Sequence, residues 1–377
     1  MSAPDILLLS NAHPPDDLRV VLKEGAALAA AGWRVRHLAP ARAATPAELA
    51  GVAIETHRRG PGWPGRLAAL PGLAARAAAS GARVLHASEP DAWGAALLAA
   101  RRSGQRVVLD VHEHYPSRLD TRLPAALRPL ARAALAAACR GAGHAADAVV
   151  VAKDGLAGDF GPPGRIVAVR NYALPAAIAP RRHAPGPLLL AHSGALSRQH
   201  RRPAALALAP PGTRLRLIGR FTDGSEPDFL AEAAARGLAG RIERLGWLDH
   251  ASALARLAEA DIALVLFQPG ETNHTLALPH KLFDAMQAGL PVIVPSFARE
   301  VAGIVREAGC GVLVDAADPR AIAAAVRGLT DPARRAALGA AGRAAASGRY
   351  GFATEAARLV ALYARLLGPP PGATSRA

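Results

Sequence analysis

Short apolar strands and alanine-rich helical segments alternate along this chain twice over, and few folds accept that pattern. In the first series, runs rich in Val, Ile and Leu predict strands over residues 6–10, 35–39, 52–56, 83–86, 107–111, 148–152 and 166–169. Amphipathic segments predict helices over 18–31, 65–80, 91–103 and 124–142. A stretch with four prolines in 17 residues, 171–187, breaks the alternation and reads as a linker. The second series then predicts strands over 188–192, 214–218, 242–244, 262–267, 292–294 and 311–314, with helices between them and over 319–329, 332–347 and 354–367. Strand–helix–strand units of this kind build mostly parallel sheets covered by helices on both faces. At 377 residues the chain is too long for one ordinary core. The expectation is an α/β protein of two Rossmann-like, doubly wound domains, 1–175 and 188–350, with a linker at 176–187, a last helix within 351–368 and a disordered tail over 369–377.

Open α/β sheets bind ligands in the crevice beyond the carboxyl ends of their strands. Polar residues just after strands are therefore the candidates. In the first series these are Asn11 and His13, with Asp17 and Arg19 opening the first helix; His86, Ser88, Glu89 and Asp91; and Asp110 through Pro116, which includes His112 and Glu113. In the second they are Ser193 and Gly194, Gly219 and Arg220, and Gln268 through His280, which includes Glu271, Asn273 and His274. A glycine directly after a strand lets the backbone approach a diphosphate closely. Arg198, Arg201 and Lys281 are the cations placed to neutralise one. Leu278 to Ile293 adds a short helix opened by Pro279 and stopped by Gly289, followed by Pro291 and a buried strand. A helix N-terminus offers free N–H groups to phosphate oxygens, and Asp284, one turn beyond Lys281, is placed to accept hydrogen bonds from a ribose. Two such clusters predict domains facing each other across a cleft, with an acceptor at the first and a nucleotide donor at the second.

Composition narrows the partners. The formal charge is +15, and all but three of the 45 basic residues are arginine, the lysines being Lys23, Lys153 and Lys281. Such a charge attracts phosphates, anionic lipids or nucleic acid without choosing among them. The basic residues are scattered and lack interleaved aromatics, so no nucleic-acid partner is expected. Over 121–142, Leu123, Leu127 and Leu130 alternate with Arg122, Arg128 and Arg132, a pattern that suits either a helix packed on its own domain or peripheral contact with an anionic membrane. Cys139 and Cys310 lie far apart and form no metal or redox pair, which suits a reduced, cytoplasmic chain, peripheral at the inner face of the membrane if that contact is made. Residues 1–5 carry no basic charge and the apolar run after them stops at Leu9, so no secretory signal is expected. Nor is a spanning helix, since no stretch of roughly 18 apolar residues is free of Arg or Asp. His86, His112 and His114 supply no pair on one helical turn, and no Asp-x-Asp occurs, so no metal is expected. No Gly-x-Gly-x-x-Gly follows the first strand, which argues against a dinucleotide oxidoreductase.

The segment Lys281-Leu282-Phe283-Asp284-Ala285-Met286-Gln287-Ala288-Gly289-Leu290-Pro291-Val292-Ile293 closely resembles the "Lys-Leu-Phe-Glu-Tyr-Met-Ala-Ala-Gly-x-Pro-Val-Ile" signature of glycosyltransferases of family 4 (group 1), which have the GT-B fold. Asp17-x-Arg19-Val20, leading into a helix that ends before Gly32-Trp33-Arg34-Val35, is similar to that family's opening. Asp110-x-His112-Glu113-x-Tyr115-Pro116 resembles its "Asp-x-His-(Glu/Asp)-x-x-Pro", His86-Ala87-Ser88-Glu89-Pro90-Asp91 its "His-Ala-x-Asp-x-Asp", and Gly194-Ala195-Leu196 its "Gly-x-Leu" turn. The resemblance runs from Asp17 to about Val314. It implies transfer of a hexose-type sugar from a nucleotide-diphosphate sugar to a hydroxyl acceptor (a glycan, a lipid-linked or a small molecule), with retention of configuration, no metal and no cofactor beyond that co-substrate. Carried over residue by residue, it assigns catalysis to His112 and Glu113. The donor falls to Ser193, Gly194, Arg198, Gly219, Asn273, His274, Pro279, Lys281, Leu282 and Asp284, and the acceptor side to His13, Asp17, Arg19 and Glu89. It also implies that the last helix crosses back onto the first domain. Two departures stand out: Asp284 replaces the family's Glu, and Leu276 stands where many members have an earlier Glu. They leave two other readings open, an epimerase or hydrolase of the same fold and a catalytically weak nucleotide-sugar-binding scaffold.

Overall fold

The computed structural model describes residues 3–42, 45–120, 122–196 and 202–370. The chain forms two compact units, Met1–Asn171 with Phe352–Ala377, and Tyr172–Gly351.

Unit 1 is built on eight strands: β1 (Ile6–Leu9), β2 (Val35–Pro40), β3 (Glu48–Leu49), β4 (Val52–His57), β5 (Val84–Ala87), β6 (Arg106–Val111), β7 (Ala148–Val151) and β8 (Ile166–Ala168), in the order β3-β4-β2-β1-β5-β6-β7-β8. Every pairing is parallel except that of the two-residue edge strand β3 with β4. β1 is the hinge of the order: Ile6 registers with Val35 of β2 on one side and Val84 of β5 on the other. Its sequence, four consecutive apolar residues, is buried on both faces, as a central parallel strand requires. The strand order reverses between β1 and β5, so the loops after these two strands open a crevice there.

The first helix departs from expectation. It is a π-helix over Leu18–Gly25 that becomes α-helical only at Ala26–Ala30. Asp17 caps it by accepting from Arg19 N at 2.9 Å and Val20 N at 3.0 Å. Bonding from i to i+5 brings residues five apart onto one face. Arg19 and Glu24 are such a pair, and an ordinary α-helix would turn them away from each other. The helix expected over 124–142 begins as a 3-10 turn, Ala125–Leu127, and continues as Arg128–Ala145. Leu127 and Leu130 on it are exposed, Leu130 to 77%. The last helix, Phe352–Leu367, packs in unit 1 with Leu359 and Tyr363 fully buried.

Unit 2 holds β9 (Leu189–Ser193), β10 (Arg214–Ile218), β11 (Ile242–Gly246), β12 (Ile262–Leu264), β13 (Val292–Pro295) and β14 (Gly311–Val314), all parallel, in the order β11-β10-β9-β12-β13-β14. Here the order reverses between β9 and β12. β12 is shorter than the strand expected over 262–267, although Val265 N still donates to Ile293 O at 3.0 Å. The proline-rich stretch is irregular but not loose. Arg181 pairs with Asp261 at 3.0 Å, Arg343 donates to Ile178 O and the fully buried Arg335 to Ala184 O, so it is strapped along unit 2. The tail expected over 369–377 lies, from residue 371 on, outside the described residues. Among the described residues no helix is long and apolar enough to cross a membrane.

Candidate functional site

Each unit carries a polar cluster at the point where its strand order reverses. In unit 1 the cluster begins beneath the surface. Asp110, at the end of β6, is fully buried; Arg19 donates to it through Nε (3.3 Å) and Nη2 (2.8 Å), and the same Nη2 lies 2.7 Å from Glu24 Oε1. Arg19 Nη1 is spent on Val169 O and Asn171 Oδ1. His86, at the strand end of β5, places Nε2 3.1 Å from Glu24 Oε2, while its Nδ1 meets Tyr363 Oη of the last helix at 2.7 Å. Three buried carboxylate and imidazole groups (Glu24, His86 and Asp110) lie close enough to share a cation, and among the described residues no other such group occurs. That cation is already present as the Arg19 guanidinium, bonded to both carboxylates, so these residues do not fit a metal. His114 faces Asp159 and the backbone N–H of Ser117.

The surface layer is built on that base. His112 Nε2 bonds Asp110 Oδ2. Its ring lies 4.6 Å from that of His13, whose Nδ1 meets Asp17 Oδ2 at 3.0 Å and whose Nε2 lies 3.6 Å from Glu89. Glu89 does not cap the helix it precedes. Its carboxylate turns back to accept from the backbone N–H groups of Asn11 and Ala12, fixing the loop after β1. Asn11 in turn donates to Asp91 (2.6 Å) and to Arg66 O (2.9 Å).

Charge follows geometry. Burial alone would lower the His13 pKa, but the hydrogen bond to Asp17 and the charges of Asp17, Glu89 and Asp110 outweigh it and raise it to about 9. His86 is likewise lifted to about 9, its two carboxylate neighbours overcoming burial. Burial pushes the Glu89 carboxyl up, whereas Asp110 is held well below its ordinary value by Arg19 and His112 despite its burial. A group whose folded pKa is raised stabilises fully below its unfolded pKa and loses that contribution as pH climbs through the folded value. His86, raised from 6.5 to about 9, therefore makes the fold lose stability between those two pH values. His13, raised to about 9 as well, adds to the same decline; chemical denaturation across this window should show it, and His86→Gln should lessen it, whereas an unchanged slope would rule out His86 as a source.

Several sequence expectations need correcting at this point. Arg19, expected on the acceptor side, is 3% exposed and holds Asp110 and Glu24 from within. Glu113, expected beside His112 in catalysis, turns outward and pairs with Arg118 at the surface. His13, Asp17 and Glu89 do come together around His112.

In unit 2 the loops after β9 and β10 touch. Gly194 (φ +103°) follows β9 and Gly219 (φ +150°) follows β10, both in conformations that disfavour a side chain. A Cβ on Gly219 would lie 2.0 Å from Gly194 O, and one on Gly194 would lie 3.3 Å from Lys281 Cε and Nζ. The two strand ends thus approach as closely as backbones can, with the lysine ammonium over them. Lys281 Nζ lies 3.2 Å from His192 Nε2, and His192 Nδ1 lies 3.1 Å from Leu264 O, which orients the ring. Lys281 opens the helix His280–Gln287, whose N-cap Pro279 supplies no side-chain acceptor. Within this first turn Leu282 N donates back to Pro279 O at 3.2 Å. Gly289 (φ +70°) closes this helix, with Leu290 N returning to Ala285 O at 3.0 Å.

One turn on from Lys281, Asp284 Oδ1 meets His250 Nε2 at 3.1 Å. His274, in the short helix Thr272–Thr275, has Nδ1 2.8 Å from Gln268 O and its ring 5.4 Å from that of Phe267; Asn273 lies in the same helix. Ser193 ends β9. The side chain of Leu282, expected against the donor, is 0% exposed and packs in the core. Arg198 and Arg201 lie outside the described residues. His250 was not among the residues singled out from sequence; only its place just after a strand end, at Asp249-His250, could have signalled it.

Two family models match the chain. One described as a glycosyl transferase 4-like domain covers residues 19–172, and one described as glycosyl transferases group 1 covers residues 202–331. A comparison with curated protein sequences gives no match. Among solved structures, the chain resembles sucrose-phosphate synthase from Thermosynechococcus elongatus at a TM-score of 0.76 and 19% identity, over 97% of this chain and 99% of that one. It resembles HepE from Anabaena in complex with UDP at 0.70 and 16%, over 96% and 100%. WaaG, a glycosyltransferase involved in lipopolysaccharide biosynthesis, aligns at 0.63 and 18%, over 95% and 99%.

Proposed function

Since the chain belongs to the group 1 glycosyltransferases of GT-B fold, we propose that it moves a hexose-type sugar from a nucleoside-diphosphate sugar to a hydroxyl acceptor, with unit 2 holding the donor. One observation carries this reading: Gly194 and Gly219 meet under Lys281 at the start of the helix His280–Gln287. Backbone N–H groups and an ammonium at that point suit a diphosphate, whose negative charge grows as the glycosidic bond breaks. Asp284, one turn further, is placed for the ribose. The solved complexes of HepE with UDP and with UDP-glucose support a nucleotide-sugar donor.

In unit 1 the acceptor hydroxyl falls to the cluster of His112, His13, Asp17 and Glu89. Asp110 fixes the His112 ring, and Arg19 and His86 fix Asp110. Retention of configuration and independence of metal belong to the same proposal, with Lys281 and the helix N-terminus supplying the positive charge a divalent ion would otherwise give.

The test is a thermal-shift series with UDP, GDP, ADP and their sugar derivatives, with and without a chelator. A ligand that binds only the folded chain stabilises it by about 2.7 kcal/mol at a hundred times its dissociation constant. A selective shift with one base, unaffected by chelator, is expected. A shift that vanishes with chelator overturns metal independence, and no shift with any nucleotide overturns the donor assignment.

A further inference from the structure

Asp284 is a shorter carboxylate than the residue it replaces in the signature it resembles, and it does not stand alone. His250 is the first residue of the helix His250–Ala258, where Asp249 caps the helix by accepting from Ser252 N at 3.0 Å. That cap fixes the backbone from which the His250 ring extends to the helix His280–Gln287. Its Nε2 sits 3.1 Å from Asp284 Oδ1, with the two side chains 34% and 22% exposed. The pair is thus partly shielded, which favours one geometry over the many open to a solvated ion pair. We propose that His250 is a positioning residue for donor recognition: by donating to Oδ1 it locks the Asp284 rotamer and leaves Oδ2 to accept from the ribose hydroxyls. Ribose is then read by a two-residue unit, one member of which lies 34 positions upstream on a different helix.

The inference rests on the donor reading above, and its test separates the two. The probe is the nucleoside diphosphate giving the largest thermal shift among UDP, GDP and ADP, titrated calorimetrically beside its 2′,3′-dideoxy form. The wild-type chain should bind the ribonucleotide about tenfold more tightly than the dideoxy form, the worth of a charge-assisted hydrogen bond. His250→Leu should collapse that preference to about twofold while leaving dideoxynucleotide affinity and thermal stability unchanged. His250→Gln, which keeps an N–H donor on a side chain of similar reach, should retain it. A purely packing role would treat Leu and Gln alike and would leave the preference intact in both. Full discrimination in His250→Leu overturns the inference while the donor site stands. Absence of binding by the wild-type chain to every nucleotide overturns both.

Discussion

Asp110→Ala should cost the fold about 3–5 kcal/mol, the usual penalty for removing one member of a buried ion pair. Without Asp110, the Arg19 guanidinium and the His86 imidazolium stay buried with Glu24 as their common carboxylate. The lost group is also the one that holds His112, so turnover should fall along with stability. Chemical denaturation measures the first effect. Adding Arg19→Met to Asp110→Ala should recover part of the loss, because an apolar side chain leaves no stranded charge, and the two costs should be clearly non-additive. A single mutant with a wild-type midpoint, or a double mutant that simply sums two losses, would mean that the buried charges are not coupled as their distances suggest.

Lys281→Ala should act on chemistry and spare the fold. Its ammonium lies over the Gly194–Gly219 contact, with His192 Nε2 at 3.2 Å. Removing a preorganised positive group at a leaving diphosphate costs about 100- to 1000-fold in kcat/KM. Stability should change by less than about 1 kcal/mol. Turnover is to be followed with the donor sugar selected by the thermal-shift series, and the free nucleoside diphosphate should bind more weakly in the same variant. Activity within a factor of three of wild type would remove Lys281 from the donor site.

Much of this architecture is legible in sequence because parallel sheets write themselves plainly. Strands buried on both faces need unbroken apolar runs, and β1 and β7, buried throughout, fall where such runs do. The residues proposed for the donor are equally legible, since Gly194, Gly219 and Lys281 all lie at strand or helix ends, where composition changes abruptly. What the sequence concealed is contact between residues that share no period. Arg19 and Glu24 pair through a π turn, whereas a 3.6-residue helix would set them on different faces. Glu113 reads as a partner of His112 by adjacency, yet neighbouring residues point in different directions, and it is Asp110, two positions before, that reaches the ring. Arg19, placed on the acceptor side by resemblance, turns inward because the fold supplies two buried carboxylates to receive it. Leu282 sits inside a functional motif for a packing reason, and motif position alone does not distinguish the two.

The division of the chain has a consequence for how the molecule comes into being. Unit 2 is one uninterrupted segment, Tyr172–Gly351, and every strand of its sheet has been synthesised once β14 has left the ribosome. Unit 1 lacks its last helix until Phe352–Leu367 follows, and that helix brings Leu359, Tyr363 and the hydroxyl that meets His86. Domains tend to fold as units while the chain grows, earliest segments first. Here that order is inverted: the half whose synthesis begins first is completed only after the whole of unit 2 has been made.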